Sequence, residues 1–189
     1  SLPPASRWAS RTAASSAGLS AGFGCTISGC SVSDTDSTAG TLTSTTAMGI
    51  SVTNFKQGGR LAIIQGNLIR NLFFRKDVDS RGVGIAVEAD SVVSSNVVEG
   101  APAYGIMIGW GSYLRDVSVT DNLIRDSHIG IGVSADSSAG PVLITDNLIT
   151  GAKDGAIRAL NGAVPVGPDL AKESAAAYRN LAVYANVAR

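Results

Sequence analysis

Histidine occurs once in this chain, at His128, so no site that needs two imidazoles can be assembled from it. Cysteine occurs twice, at Cys25 and Cys30. In one extended strand their Cα atoms would lie about 16 Å apart at roughly 3.3 Å per residue, whereas a disulfide needs less than about 7 Å. Both are therefore expected as reduced core or corner residues. Aromatic residues make up 5% of the chain, too few for a core of interlocking rings. Net charge is zero, with 15 basic and 15 acidic residues, which excludes the dense basic face of a nucleic-acid binder. No apolar run approaches the roughly 20 residues of a membrane-spanning helix. Phosphate-loop, dinucleotide, nucleophile-elbow and His-Glu-x-x-His motifs are all missing.

What is present is aliphatic and repetitive. Hydrophobic residues reach 44%, accompanied by 22 glycines and many Ser, Thr and Asn. That mixture suits short strands joined by tight corners. Asn67, Asn96, Asn122, Asn147 and Asn186 stand in similar contexts, the clearest being Thr-Asp-Asn-Leu-Ile around Asn122 and Asn147, and Cys30 fits one turn earlier. Three residues before these anchors lie Ile27, Ile64, Val93, Val119, Ile144 and Val183. Two residues after them lie Val32, Ile69, Val98, Ile124, Ile149 and Ala188. This alternation marks a strand with one buried face. A second strand follows as Gly-Ile-x-Val or a close variant at Gly49, Gly84, Gly105 and Gly130, with a weaker copy at Gly155-Ala156-Ile157.

Anchor spacings are 37, 29, 26, 25 and 39. The shorter values match one coil of a β-solenoid, and the longer ones carry insertions. The pattern predicts an all-β fold, a right-handed single-stranded parallel β-helix. Stacked asparagines would form an amide ladder, and Asn is expected to take the left-handed corner conformation itself. Leucine-rich repeats would show fixed Leu positions. An α/β fold needs amphipathic connections that these short, Gly-rich links cannot supply.

Residues 1–24 are Ala/Ser-rich and weakly patterned, consistent with a degenerate coil or an end cover. Residues 25–189 form the β-helix, expected to be the C-terminal part of a longer solenoid. The chain opens Ser-Leu-Pro-Pro without a signal-like apolar stretch, as a processed piece would. Three excursions leave the coil: residues 33–47, residues 72–82, and residues 160–180, where Pro168 and the alanines after it predict a short helix near 168–178.

Four groups of residues could carry chemistry. Arg75, Lys76, Asp77, Asp79 and Arg81 form the most ionisable stretch, with Asp77 and Asp79 offering oxygens suited to Ca²⁺. Arg125, Asp126 and His128 follow an anchor, and histidine is the residue type most often used as a general acid or base. Tyr104, Trp110 and Tyr113 could stack on sugar rings. Glu88, Asp90 and Asp136 follow the second strand, with Asp90 and Asp136 at matching offsets. For the charged groups a solvated corner is the plainer explanation. The aromatics would otherwise cover the solenoid's flank.

Gly84 to Asp90, Tyr104 to Val117 and Asp121 to Ile124 resemble bacterial twin-arginine-translocated repeat proteins, which sit among the pectate-lyase-like β-helix proteins. The resemblance runs from about Gly24 to the C-terminus. It implies export to the periplasm or cell exterior and carries no catalytic residues across. The expected activity is polysaccharide binding, with lyase or epimerase chemistry open and Arg75, Glu88, Asp90, Arg125 and His128 as candidate groups. Such chemistry would use a cation for the uronate and a base for its proton. A non-catalytic structural or interaction scaffold is the alternative. No cofactor is indicated beyond possible Ca²⁺, and no feature points to an oligomeric state.

Overall fold

The computed structural model describes residues 25–28, 31–33, 48–52, 61–72 and 82–189. Successive coils lay their strands into three sheets. The first sheet stacks Cys25–Ser28, Ala62–Gln65, Ala89–Ser94, Arg115–Thr120, Val142–Thr145 and Leu181–Tyr184. The second stacks Ser31–Ser33, Leu68–Arg70, Val97–Glu99, Leu123–Arg125, Leu148–Thr150 and Val187–Ala188. The third stacks Met48–Val52, Val83–Val87, Tyr104–Ile108, Ile129–Ser134 and Ile157–Asn161, then ends on Val164–Asp169. All pairings are parallel except that last one. The fold is a parallel β-helix.

Register follows the repeat. Ile27, Ile64, Val93, Val119, Ile144 and Val183 are successive partners in the first sheet. Val32, Ile69, Val98, Ile124, Ile149 and Ala188 are partners in the second. Ile64, Val93, Val119 and Ile144 are fully buried, as are Ile69, Val98, Ile124 and Ile149. Each such side chain stabilises the fold by about 1.5–3 kcal/mol relative to exposure.

The corners differ from expectation. The left-handed residue is not the anchor but the one before it: Gly66, Ser95, Asp121, Asp146 and Ala185, with φ between 54° and 67°. A second left-handed residue (Asn71, Gly100, Asp126 or Gly151) follows each described second-sheet strand from Leu68–Arg70 to Leu148–Thr150. The anchor's side chain is instead buried, from Asn67 to Asn147. Nδ2 of Asn67, Asn96, Asn122 and Asn147 each donates to Oδ1 of the next anchor at 2.9 Å. The same oxygen accepts the preceding anchor's backbone N–H at 3.0–3.1 Å. Buried amides are costly unless bonded, and this ladder bonds them.

Glycine in Gly-Ile-x-Val answers a close approach. A Cβ on Gly49, Gly84, Gly105 or Gly130 would fall 2.4–2.6 Å from a carbonyl oxygen one coil on. It would also fall 2.5–2.6 Å from a methyl of Ile69, Val98, Ile124 or Ile149. In the final coil Ile157 pairs with Ile131, so Ala156 rather than Gly155 stands opposite Gly130.

The helix expected near 168–178 is replaced by an edge strand and one 3₁₀ turn. Pro165 and Pro168 lie in the antiparallel strand Val164–Asp169, and only Ala175–Ala177 is helical. Proline is admissible there because the strand is an edge. The Asp169 carboxylate accepts backbone N–H groups of Ala156, Ile157 and Ala171 at 2.9–3.1 Å. Residues 1–24 and Cys30 lie outside the described residues.

Candidate functional site

The excursion between the third and first sheets in the central coil presents Trp110. Gly109 and Gly111 flank it with φ of 77° and 56°. At Gly109 the freedom is needed for space as well, because a Cβ there would lie 2.4 Å from Cβ of Leu114. Leu114 is fully buried and plugs the loop into the core. Trp110 itself is extended, with φ −138° and ψ 108°, and leads into the 3₁₀ turn Gly111–Tyr113. Its side chain is 48% exposed. Tyr113 is half-buried in the turn.

Neighbouring coils hold this loop. Ser134 Oγ donates to the Gly111 carbonyl at 3.1 Å. The far edge of the Trp110 indole reaches the turn at Gly162, where a Cβ would lie 3.8 Å from the ring. Asp136 stands beside Gly111, its Oδ2 3.8 Å from the Cβ position of that glycine. Asp136 Oδ1 accepts the Ser138 hydroxyl at 2.5 Å and the Ser138 N–H at 2.8 Å. The Ser138 side-chain bond, then its backbone bond, hold the Asp136 carboxyl below its ordinary range, and slight desolvation opposes them. The corner thus presents a half-exposed Trp110 and, at the adjacent Gly111, a carboxylate whose titration lies below its ordinary range.

The other carboxylates do not join it as expected. Glu88 is buried at 5% exposure and does not form an open carboxylate pair. Asp90 has φ 48° at the start of its first-sheet strand, and its counterpart is Asp116, φ 50°, rather than Asp136. The insertions after Ile108 and Ser134 break the matching offset. Arg115 Nη2 donates to Asp90 Oδ2 at 2.9 Å, which occupies both groups.

Arg125, Asp126 and His128 are adjacent in sequence but serve different purposes. Arg125 pairs with Glu99 on the preceding coil at 2.9 Å. Asp126 is a left-handed corner with φ 55°. His128 is exposed and lines a cleft of about 380 Å³ with Pro102, Ala103, Tyr104, Ile129, Asp154, Ala163 and Pro165. Asp154 accepts from Arg158 at 3.2 Å. Tyr104, named with Trp110 and Tyr113 as able either to stack on sugar rings or to cover the solenoid's flank, takes the second role: it is 3% exposed and packs with Val83, Ala86, Ile129 and Leu160 outside the third sheet. Its hydroxyl donates to the Ala163 carbonyl at 2.7 Å, tying the cleft to the terminal hairpin.

Arg75, Lys76, Asp77, Asp79 and Arg81 lie outside the described residues. Among the described residues no three His, Cys, Asp or Glu side chains gather to hold a metal ion, and no helix is long and apolar enough to cross a membrane. Sequence reasoning overlooked the Arg115–Asp90 pair and the hairpin turn at Gly162. Gly162, the first of two loop residues between Asn161 and Val164, was the available signal for the latter.

No curated relative and no solved structure matches the chain. A family model described as a right-handed β-helix region matches residues 14–166, and the chain belongs to that family.

Proposed function

We propose that this β-helix binds an extended polysaccharide at the Trp110 corner without cleaving it. The observation that carries the reading is the half-exposed Trp110, in a loop that Ser134 ties down at Gly111 and with its indole edge at the Gly162 turn. A flat, preorganised aromatic face loses little entropy on binding a pyranose ring.

Among the described residues, the pairing of three arginines and the separation of His128 from Trp110 favour binding over lyase or epimerase chemistry at the Trp110 corner. Such chemistry calls for a cation to meet the uronate carboxylate and a base to take the adjacent proton. Here Arg115, Arg125 and Arg158 are engaged by Asp90, Glu99 and Asp154. His128 and Trp110 flank opposite ends of the third-sheet strands, so they do not share a ring-sized site. Calorimetry with a polysaccharide panel should show binding that Trp110→Ala weakens by about tenfold or more. Products should stay unchanged in length. Binding that survives Trp110→Ala, or chain shortening, contradicts the reading.

The resemblance to twin-arginine-translocated proteins supports export as part of this proposal. Fractionation of cells making the full-length product should place it in the periplasm or medium. Retention in the cytoplasm would contradict that.

A further inference from the structure

We infer that the Trp110 corner selects an uncharged glycan over a polyuronate; this rests on the polysaccharide reading above and names its ligand class. The inference comes from what stands beside the indole. Asp136 Oδ2 points to the loop at Gly111, while Oδ1 is taken by both Ser138 donors. One carboxylate oxygen is thus presented at Gly111, the residue that follows Trp110. Carboxylate oxygens only accept hydrogen bonds when ionised, and sugar hydroxyls donate them. The same oxygen repels a uronate carboxylate brought to the same ring.

Among the described residues, the ion pairs of Arg115, Arg125, Arg158 and Lys172 go to Asp90, Glu99, Asp154 and Asp169, and none goes to Asp136. Arg115 follows the Trp110 loop directly, but its guanidinium lies on Asp90 at 2.9 Å. Ser134, the remaining polar brace, is neutral and spends its hydroxyl on the Gly111 carbonyl. An apolar sugar face on Trp110 with a hydroxyl on Asp136 satisfies both groups. A uronate would satisfy the indole and leave two carboxylates facing each other. Binding that rests on stacking and one hydrogen bond should also change little with salt.

The test compares size-matched neutral oligosaccharides (glucose-, mannose- and galactose-based) with oligouronates by calorimetry, at low and high salt and with chelator. The wild-type chain should bind its best neutral ligand about tenfold or more tightly than any oligouronate, a ratio in the range of like-charge penalties. Salt and chelator should leave neutral binding unchanged. Asp136→Asn should narrow the gap, because it removes the repulsion while keeping an acceptor. Trp110→Ala should remove binding of both classes. Tighter binding of oligouronates, or an unchanged ratio in Asp136→Asn, overturns the inference while the polysaccharide reading stands. Binding of neither class overturns that reading itself.

Discussion

Asn122 Oδ1 accepts two bonds from Asn96, the backbone N–H at 3.0 Å and the side-chain amide at 2.9 Å. The two side-chain N–H hydrogens of Asn122 are in turn shared among Val93 O, Thr120 O and Asn147 Oδ1, at 2.9–3.0 Å from the nitrogen. One buried amide therefore joins three coils. Asn122→Ala leaves at least two buried donors of Asn96 without that acceptor. At about 1–3 kcal/mol for each buried group left unpaired, the loss should be about 3 kcal/mol or more. Urea unfolding measures it. A loss below about 1 kcal/mol would mean that water replaces the amide and the ladder is not a structural requirement.

The two kinds of glycine should separate in the same assay. Gly66 has φ 67° and nothing near its Cβ position, so Gly66→Ala should cost about 1 kcal/mol, the conformational penalty alone. Gly105→Ala places a methyl 2.5 Å from Ile124 Cγ2 and 2.6 Å from the Gly130 carbonyl oxygen. It should cost at least twice as much, since overpacking adds about 1–3 kcal/mol. Equal costs would show that the coils can separate locally.

Asp136 gives a pH signature. Its folded carboxyl titrates below its ordinary range because Ser138 donates to the ionised form. The stabilisation is therefore fully present above the unfolded-state value and is lost as pH falls through the lower, folded one. A carbon-detected NMR titration should show Asp136 protonating at lower pH than in the unfolded chain, and Ser138→Ala should raise the folded value. A raised folded value in the wild type would contradict the geometry.

Tyr104→Phe removes the donor to the Ala163 carbonyl while keeping the ring in its apolar packing. The expected cost is about 1 kcal/mol. Faster amide exchange should appear in the hairpin of residues 161–169 and not in the coil around Asn122. Uniform acceleration would mean that the hairpin and the coils unfold as one unit.

The stack was legible because each coil repeats the same physical demand. Ile64, Val93 and Val119 alternate with solvent-facing or half-buried neighbours, Ile144 continues their column with only Thr145 buried beside it, and one register satisfies every column. The asparagine anchors were legible for the same reason. Their left-handed neighbours were not, because Gly66, Ser95, Asp121, Asp146 and Ala185 share a conformation but no residue type. Pro168 misled because proline suits both a helix start and an edge strand, and the Asp169 contacts to Ala156 and Ile157 that decide between them are tertiary. Asp90 and Asp136 sat at equal offsets, yet insertions of different shape sent one to Arg115 and the other to Ser138. Trp110 was legible as a loop residue from its flanking glycines. Tyr104, similar in composition terms, was buried by a hairpin more than fifty residues later in the chain.

The most direct test of a glycan site at Trp110 is a fluorescence titration. The chain has two tryptophans, Trp8 and Trp110, so Trp8→Phe makes Trp110 the sole tryptophan reporter. Adding a neutral oligosaccharide that binds by calorimetry should shift the emission to shorter wavelength, saturably and at the same midpoint, as the half-exposed indole is covered. Calorimetric binding with no change in Trp110 emission would place the ligand elsewhere and contradict the account.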